Sequence, residues 1–399
     1  MKKNILFVMP SLSTGGAEKS LVGMLKYWDY ENYNVDVYTF AEKGEYADTL
    51  DDRVNVICDS SLYQDVFYKS VSSSVKSLLK RGKIGLAFCR ILWAIEPALY
   101  KLFGKKCTRN SRFDWYLQKK AMLCLDKHYD IAIGYMEGGP NYYVSDVVEA
   151  NVKIGWIHTD YSKTSPNVFL DTTRFNKMKC VVTVSENSKR EILKLMPELE
   201  KKLVVVPNVI DTEKIDRMVN ETTIQKDSEF AICSVGRLVK LKGFDIAVDT
   251  ARILADEGID FKWYIVGDGE EKENLLSQIK SLGLEDKVIL TGSTKNPYSY
   301  MKMADVCVQL SEYEGRPLVV DEAQYLLKTV VASDIGAHRD LINDGQTGVI
   351  TPRNPENVAM AIKTVLFDEK LATFIKSNLE NNRFNDKNIA EMVEKLWTL

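Results

Sequence analysis

The stretch SEYEGRPLVVDEAQ, residues 311–324, places two acids eight positions apart, Glu314 in a loop and Glu322 in the helix expected to follow. Pro317 suits the first turn of that helix, where a missing N–H is no loss. Free N–H groups and the positive end of the helix dipole favour a phosphate beside the loop. A carboxylate at Glu322 would repel a phosphate and suits a pair of ribose hydroxyls. The stretch therefore predicts a ligand that carries both groups.

Short β-branched and aromatic runs alternate with helical patterns along the whole chain. The alternation predicts two α/β domains, each a doubly wound parallel sheet with right-handed crossovers. A break near residues 207–211 separates domain 1–206 from domain 207–384. The predicted strands are 3–9, 34–40, 54–57, 130–135, 153–158, 180–184 and 203–206, then 230–235, 262–266, 287–292, 304–310 and 329–333.

Polar residues and glycines follow the strands of the second half. Gly236-Arg237 follows the first of them, Gly267 the second, Thr294 the third, and residues 311–324 the fourth. Ligands of doubly wound sheets bind outside the carboxyl ends of the strands, so these residues predict one polar site. Arg237 and the nearby Lys242 are cations that can neutralise a diphosphate without a metal ion.

Two features of the first half fit the same kind of site. Gly15-Gly16 lies between the first strand and a helix expected to open near Ala17, and a glycine-rich turn can approach a phosphate or a sugar. His158 follows a strand, and we expect it to be the one histidine of three that lies at the rim of a sheet.

Composition places the chain among ordinary globular proteins. It has 399 residues, of which 45% are hydrophobic and 27% charged. Seven cysteines without a C-x-x-C pair fit reduced thiols in a cytosol. The apolar run that follows the first lysines stops at Pro10, too early for a signal peptide, and no stretch of about twenty apolar residues predicts a membrane span.

Residues 69–120, the basic segment, hold thirteen Lys and Arg against two acids, whereas the whole chain has a net charge of −3. The basic segment also contains the apolar run GLAFCRILWAIEPALYKLF. Basic charge beside an amphipathic apolar run indicates an anionic membrane surface. The alternative is a solvated face on helices of the core. Nucleic acid is disfavoured, because the acidic remainder of the chain would repel phosphates.

Taken together, the motifs resemble those of the family-four retaining glycosyltransferases of GT-B fold. The resemblance spans essentially the whole chain and is strongest from residue 180 to 350. It implies two Rossmann-like domains facing across a cleft, a nucleotide-sugar donor held mostly by the second, and a final helix, 385–399, that packs back onto the first. The motifs are Gly15-Gly16-Ala17-Glu18, V-S-E-N-S-K-R from Val184, P-N-V-I-D at 207–211, G-R-L-x4-G-F from Gly236, and E-x7-E at Glu314 and Glu322.

The resemblance also implies roles for single residues. Arg237 and Lys242 would clamp the diphosphate and assist the leaving group, Glu322 would bind the ribose, and Glu314 would face the hexose. His158 would lie near the sugar. The remaining donor contacts would come from Gly15, Gly16, Gly267, Thr294, Gly315, Arg316 and Leu318, with Thr294 touching the base through its backbone. Arg316 departs from the apolar residue that is commoner at its position.

The implied activity is a metal-independent, retaining transfer of a hexose or N-acetylhexosamine from a nucleoside diphosphate sugar, with no cofactor. Uridine is the base that the family uses more often. We expect a lipid-linked acceptor at the cytoplasmic face of the membrane, as in capsule or cell-wall polysaccharide synthesis. Two alternatives stay open, a soluble small-molecule or protein acceptor and a non-catalytic subunit that binds an active partner. Such subunits usually lose the donor clamp, whose residues are all present here.

Overall fold

The structure is a computed structural model that describes residues 2–13, 15–41, 44–58, 62–102, 112–164, 166–381 and 392–397. The chain divides into two units, Met1–Val209 with Lys387–Leu399, and Ile210–Asp386. The sequence placed this boundary three residues earlier, between residues 206 and 207. Of the predicted final helix, residues 385–391, 398 and 399 lie outside the described part.

The first unit contains a seven-stranded parallel sheet in the order β3-β2-β1-β4-β5-β6-β7. Its strands are apolar on both faces, as in β1, where Ile5 to Met9 are all buried. Runs of this kind form where helices cover both sides of a parallel sheet. The strands are β1 (Lys3–Met9), β2 (Tyr33–Thr39), β3 (Val54–Cys58), β4 (Tyr129–Gly134), β5 (Ala150–Ile157), β6 (Cys180–Thr183) and β7 (Leu203–Val205).

The helices of the first unit are unevenly distributed, since four of them lie between β3 and β4. These four, α2 to α5, belong to the basic segment and the residues just before it. The helices are α1 (Gly16–Lys26), α2 (Leu62–Phe67), α3 (Val71–Lys80), α4 (Ile84–Leu102), α5 (Arg112–Ala121), α6 (Gly139–Asp146), α7 (Val168–Phe175) and α8 (Glu186–Leu195).

The second unit contains a six-stranded parallel sheet in the order β10-β9-β8-β11-β12-β13. All twelve strands predicted from the sequence are present in the two sheets, and β13 was missed. The strands are β8 (Phe230–Val235), β9 (Phe261–Val266), β10 (Val288–Gly292), β11 (Val306–Gln309), β12 (Thr329–Ser333) and β13 (Val349–Thr351).

Helices pack on both faces of this second sheet. Neighbouring strand residues alternate between two apolar layers, as Ile232 and Cys233 do on β8. The helix predicted from Pro317 begins one residue later, because Pro317 keeps an extended backbone and caps it. The helices are α9 (Thr212–Glu221), α10 (Phe244–Asp256), α11 (Lys272–Ser281), α12 (Tyr298–Met303), α13 (Leu318–Tyr325), α14 (Gly336–Arg339), α15 (Pro355–Phe367) and α16 (Glu369–Asn381).

In both sheets the direction of winding reverses once. The reversal lies between β1 and β4 in the first unit and between β8 and β11 in the second. Adjacent loops leave in opposite directions at such a point and open a crevice at the carboxyl ends of the strands. The residues that follow these four strands are therefore the first to consider as ligand contacts.

The end of the chain packs against the first unit. The ring of Trp397 lies 5.9 Å from that of Trp28 and 5.8 Å from that of Tyr33, while Val393 and Leu396 are buried. The described residues 392–397 thus cover aromatic surface beside the start of β2.

Trp397→Ala should loosen the first unit by about 2 kcal/mol, because it removes two aromatic contacts and leaves Trp28 partly uncovered. Hydrogen exchange followed by mass spectrometry should show faster exchange in β1 and β2. Phe374→Ala, on the exposed side of α16, is the matched control and should leave these strands unchanged. Unchanged exchange in Trp397→Ala would show that the contacts contribute little.

Candidate functional site

The loops that follow β8, β9 and β10 pack against one another through their backbones. The N–H of Gly236 donates to Val266 O at 3.0 Å, and the N–H of Gly267 donates to Gly292 O at 3.0 Å. Gly267 has a φ of +149°, and a Cβ there would collide with the carbonyl oxygen of Gly236. Gly267 was predicted to bind the donor, but its N–H is used to join two loops. Thr294, the predicted base contact, is exposed at the next strand end.

A short turn places Lys242 beside the loop that follows β11. The turn, Lys240–Lys242, ends at Gly243, which is left-handed with a φ of +69°. A Cβ on Gly243 would collide with Leu310 O, so only glycine lets the turn come this close. The N–H of Glu312 donates to Leu241 O at 2.9 Å and joins the two segments.

The structure brings together the predicted phosphate cation and the predicted sugar-facing acid. Lys242 Nζ forms an ion pair with Glu314 Oε1, and their side chains are 19% and 14% exposed. Ser311 Oγ donates to the same carboxylate oxygen at 2.7 Å. Arg237 is exposed, and its guanidinium has no ion-pair partner among the residues that the structure describes. The rim at β8 and β11 therefore holds one cation open to solvent and one that is paired.

Arg316, in the loop before α13, is bound by an acid in the first turn of that helix. Its guanidinium binds Asp321 through two bonds, Nε to Oδ2 at 3.0 Å and Nη2 to Oδ1 at 2.8 Å. The two side chains are largely buried, and the pair ties the Glu314–Arg316 loop to the first turns of α13. It also neutralises an acid that would otherwise oppose an anion at this helix N-terminus.

The side chains of Leu318 and Glu322 are buried more deeply than contact with a ligand requires. The side chain of Leu318 joins the apolar layer under α13, so only its backbone can face a ligand. Glu322 is 1% exposed, on the buried side of α13. Its role as the ribose acid stays a prediction.

The expectation that His158 is the one histidine at a sheet rim is wrong. His338 lies on α14, five residues after the end of β12, and is fully buried. Its Nδ1 lies 2.8 Å from Ser333 O, and because a carbonyl only accepts, Nδ1 carries the proton. Nε2 is then an acceptor, and it has no hydrogen-bond partner in the described structure. The spacing S-D-I-G-A-H after a strand was the signal that the sequence offered.

A chain of hydrogen bonds connects His338 to the ion pair. Ser333 Oγ donates to Ser311 O at 2.6 Å, and Ser311 in turn donates to Glu314. Burial lowers the pKa of His338, while the Glu314 charge works against that shift. His338 is thus a neutral imidazole that is linked to the carboxylate of Glu314 through Ser333 and Ser311.

In the first unit, His158 follows β5 and is almost wholly buried. Its Nδ1 bonds Asn208 Oδ1 at 3.1 Å, and its ring lies nearly parallel to that of Trp156. Burial lowers the pKa of His158 to about 3. The imidazole is therefore neutral at ordinary pH and cannot supply a proton as an imidazolium acid.

Glu137, at the end of β4, is a residue that sequence reasoning missed. Its carboxylate accepts the backbone N–H of His158 at 3.0 Å and the hydroxyl of Thr159 at 3.1 Å. Burial raises the pKa of Glu137. An acid just beyond a predicted strand, in the run MEGGP, was the available signal.

Gly15 directly precedes α1, and Gly16 is the first residue of that helix, one position before the predicted start near Ala17. Gly15 is extended, with a φ of −159°, and the carboxylate of Glu18 occupies the space where its Cβ would be. An acid at this helix N-terminus already satisfies the dipole and repels a second anion. Of the two ligands considered for this turn, the structure favours sugar hydroxyls over a phosphate.

Two further observations concern metals and membranes. The described residues contain no group of three or more His, Cys, Asp or Glu placed to hold a metal ion. Within the same residues, every helix is too short or too polar to cross a bilayer.

Comparison with known proteins finds a family match within the second unit. Residues 215–381 match the family described as glycosyl transferases group 1. An N-acetylgalactosamine-N,N'-diacetylbacillosaminyl-diphospho-undecaprenol 4-alpha-N-acetylgalactosaminyltransferase of Campylobacter jejuni is 33% identical over 53% of this chain and 57% of its own length. A poly(ribitol-phosphate) alpha-N-acetylglucosaminyltransferase of Staphylococcus aureus is 24% identical over 92% of this chain and 72% of its own length. The chain spans about half the length of most of the curated relatives that it matches.

Solved structures confirm the fold. Anabaena Alr3699/HepE, in complex with UDP and glucose, has a TM-score of 0.68 at 18% identity and covers 99% of each chain. TarM has a TM-score of 0.69 at 16% identity, covering 100% of this chain and 99% of its own. The predicted GT-B fold of two doubly wound α/β domains is thus confirmed.

The buried histidines predict how stability depends on pH. Between about pH 6.5 and the lowered native pKa, the unfolded chain binds more protons than the folded one, so stability falls as pH falls. His158→Gln should flatten this slope by up to about 1.4 kcal/mol per pH unit between pH 6 and pH 4, measured by urea unfolding. His128→Gln, at an exposed position, should leave the slope unchanged. An unchanged slope in His158→Gln would mean that the ring is protonated in the folded state.

Proposed function

Because residues 215–381 match the family described as glycosyl transferases group 1, we propose that this chain transfers a hexose or N-acetylhexosamine from a uridine diphosphate sugar to a lipid-linked saccharide. The observation that carries the proposal is the pairing of Lys242 with Glu314 beside the N-terminus of α13. The pair joins a cation of the kind that suits a phosphate and an acid of the kind that suits sugar hydroxyls.

The charges of the second unit suit a diphosphate. Arg237 is open to solvent, and the ammonium of Lys242 can exchange its carboxylate partner for a phosphate oxygen. The start of α13 adds the positive end of a helix dipole. A uridine diphosphate is supported by the likeness to Alr3699/HepE with UDP and glucose, and by a relative in Escherichia coli named as a UDP-Gal:alpha-D-GlcNAc-diphosphoundecaprenol alpha-1,3-galactosyltransferase.

In the proposed reaction, the bond between the anomeric carbon and the diphosphate oxygen breaks as the acceptor oxygen bonds to the same face of that carbon. The proton of the acceptor hydroxyl passes to the departing phosphate oxygen. Arg237 and Lys242 stabilise the negative charge that develops on the leaving group, which makes the step metal-independent. His158 is neutral, so it orients hydroxyls rather than protonating the diphosphate.

The acceptor is proposed from the relatives. The Campylobacter jejuni and Escherichia coli proteins are named for undecaprenol-linked saccharides, and a Staphylococcus aureus relative is named for capsular polysaccharide biosynthesis. A polyprenol-linked acceptor lies in a bilayer, so the proposed place of work is the cytoplasmic face of the membrane, in capsule or cell-wall polysaccharide synthesis.

UDP should raise the thermal midpoint of the wild-type chain in the presence of EDTA, and GDP should raise it less. Arg237→Ala and Lys242→Ala should each weaken UDP binding about tenfold or more, since each removes a charge-assisted bond. Lys240→Ala is the matched control, because Lys240 lies in the same turn and pairs with Asp245. A shift that requires magnesium would contradict the metal-independent clamp. No shift with any nucleotide would favour the non-catalytic subunit.

Glu314→Gln should lower turnover by orders of magnitude while the UDP-induced thermal shift persists. Glutamine keeps the shape but loses the charge that faces the sugar and holds Lys242. Glu312→Gln, two residues earlier in the same loop and exposed, should retain turnover. Near-normal turnover in Glu314→Gln would remove this carboxylate from the mechanism.

A further inference from the structure

Helix α4 of the first unit carries large apolar side chains on its outer face. With about 100° of rotation per residue, seven of them fall within a sector about 100° wide, which runs the full length of the helix, about 28 Å. Each is at least 38% exposed, and Leu102 reaches 78%. The seven residues, here named the apolar stripe, are Ile84, Phe88, Ile91, Leu92, Ile95, Leu99 and Leu102.

The opposite face of α4 holds the helix in place. Arg90 and Trp93 are buried there, with Arg90 Nε donating to Val66 O at 2.7 Å and Trp93 Nε1 donating to Asp114 Oδ1 at 2.8 Å. These bonds to α2 and α5 fix the rotation of α4. The apolar stripe is therefore held outward by polar contacts and is not a misplaced core face.

Exposed lysines lie on α4 and on the segment just before it. Lys76 and Lys80 lie on α3, Lys83 in the turn before α4, and Lys101 at its end, and all four are exposed. From residue 69 to 102 the chain has seven Lys and Arg against the single acid Glu96. An exposed apolar band in a segment of predominantly positive charge fits a surface that is apolar inside and negative outside.

We propose that the apolar stripe is the surface by which this chain lies on a bilayer containing anionic lipids. The stripe enters the boundary between headgroups and acyl chains, and the four lysines contact lipid phosphates. A second copy of the chain is a poorer occupant, because stripe-to-stripe packing would bring the two sets of lysines together. The inference deepens the proposed function, since it rests on an acceptor that is anchored in lipid.

The test is flotation of the full chain with phosphatidylglycerol–phosphatidylcholine vesicles, compared with pure phosphatidylcholine, at low salt. The wild-type chain should float with the anionic vesicles. Phe88→Ser, Ile95→Ser and Leu99→Ser combined should reduce the bound fraction about tenfold or more. Lys80→Glu with Lys83→Glu should do the same, and added salt should reproduce that loss.

Matched controls come from the second unit. Met360→Ser, Phe367→Ser and Phe374→Ser replace side chains of similar exposure, 59%, 58% and 52%, and should float as the wild type does. UDP-induced thermal shifts should be the same in both triple variants, which separates loss of docking from loss of fold or of donor binding. Transfer to a short-chain, water-soluble acceptor should also survive in the stripe variant.

Two results would overturn the docking surface while leaving the proposed reaction standing. One is flotation of the stripe variant equal to that of the wild type. The other is a failure of the wild-type chain to float at all. Light scattering that shows a lipid-free oligomer, abolished by the stripe variant, would instead assign the stripe to a second copy.

Discussion

The ion pair between Lys242 and Glu314 is the constraint around which the second unit is arranged. Two partly buried charges lose hydration when they meet, and the pair persists only because additional bonds hold both ends. Gly243 lets the Lys242 turn reach Leu310, and Ser311 bonds the carboxylate of Glu314. In the proposed reaction, an incoming diphosphate would offer the ammonium a stronger partner and leave the carboxylate to sugar hydroxyls. The pair thus holds a cation and an acid at the point where the winding of the sheet reverses.

Charge also decides which helix N-terminus can receive an anion. Both α1 and α13 begin beside the crevice of their sheet, and both carry an acid near the first turn, Glu18 and Asp321. Asp321 is neutralised by two bonds from Arg316, whereas the carboxylate of Glu18 lies over Gly15. The dipoles of the two helices are alike, but the local charge is not. The unusual arginine of the G-R-P loop is thus explained by the acid that it neutralises.

Elements that depend on a local sequence pattern were predicted, whereas contacts between residues far apart in the sequence were missed. Strands buried on both faces are visible as apolar runs, and twelve were found, while β13 has only two apolar residues, Val349 and Ile350, between Gly348 and Pro352. E-x7-E located Glu314 because the loop and helix around it are contiguous. The pairing of Gly267 with Gly292, and of Ser333 with Ser311, joins loops or strand ends whose spacing only the fold sets. Glu137 was missed for the same reason, since its partner His158 follows a different strand.

Burial decides which side chains in the proposed reaction are neutral and which are charged. His158 and His338 each use Nδ1 for a fixed bond and leave Nε2 without a partner in the described structure, and burial lowers the pKa of both. A neutral imidazole with a free acceptor nitrogen can take a bond from a hydroxyl but cannot stabilise a departing anion. The positive charge must then come from side chains of another type, and in the proposed reaction Arg237 and Lys242 supply it. The exposed position of Arg237 and the exchangeable pairing of Lys242 suit both cations to this proposed role, which histidines buried this deeply could not fill.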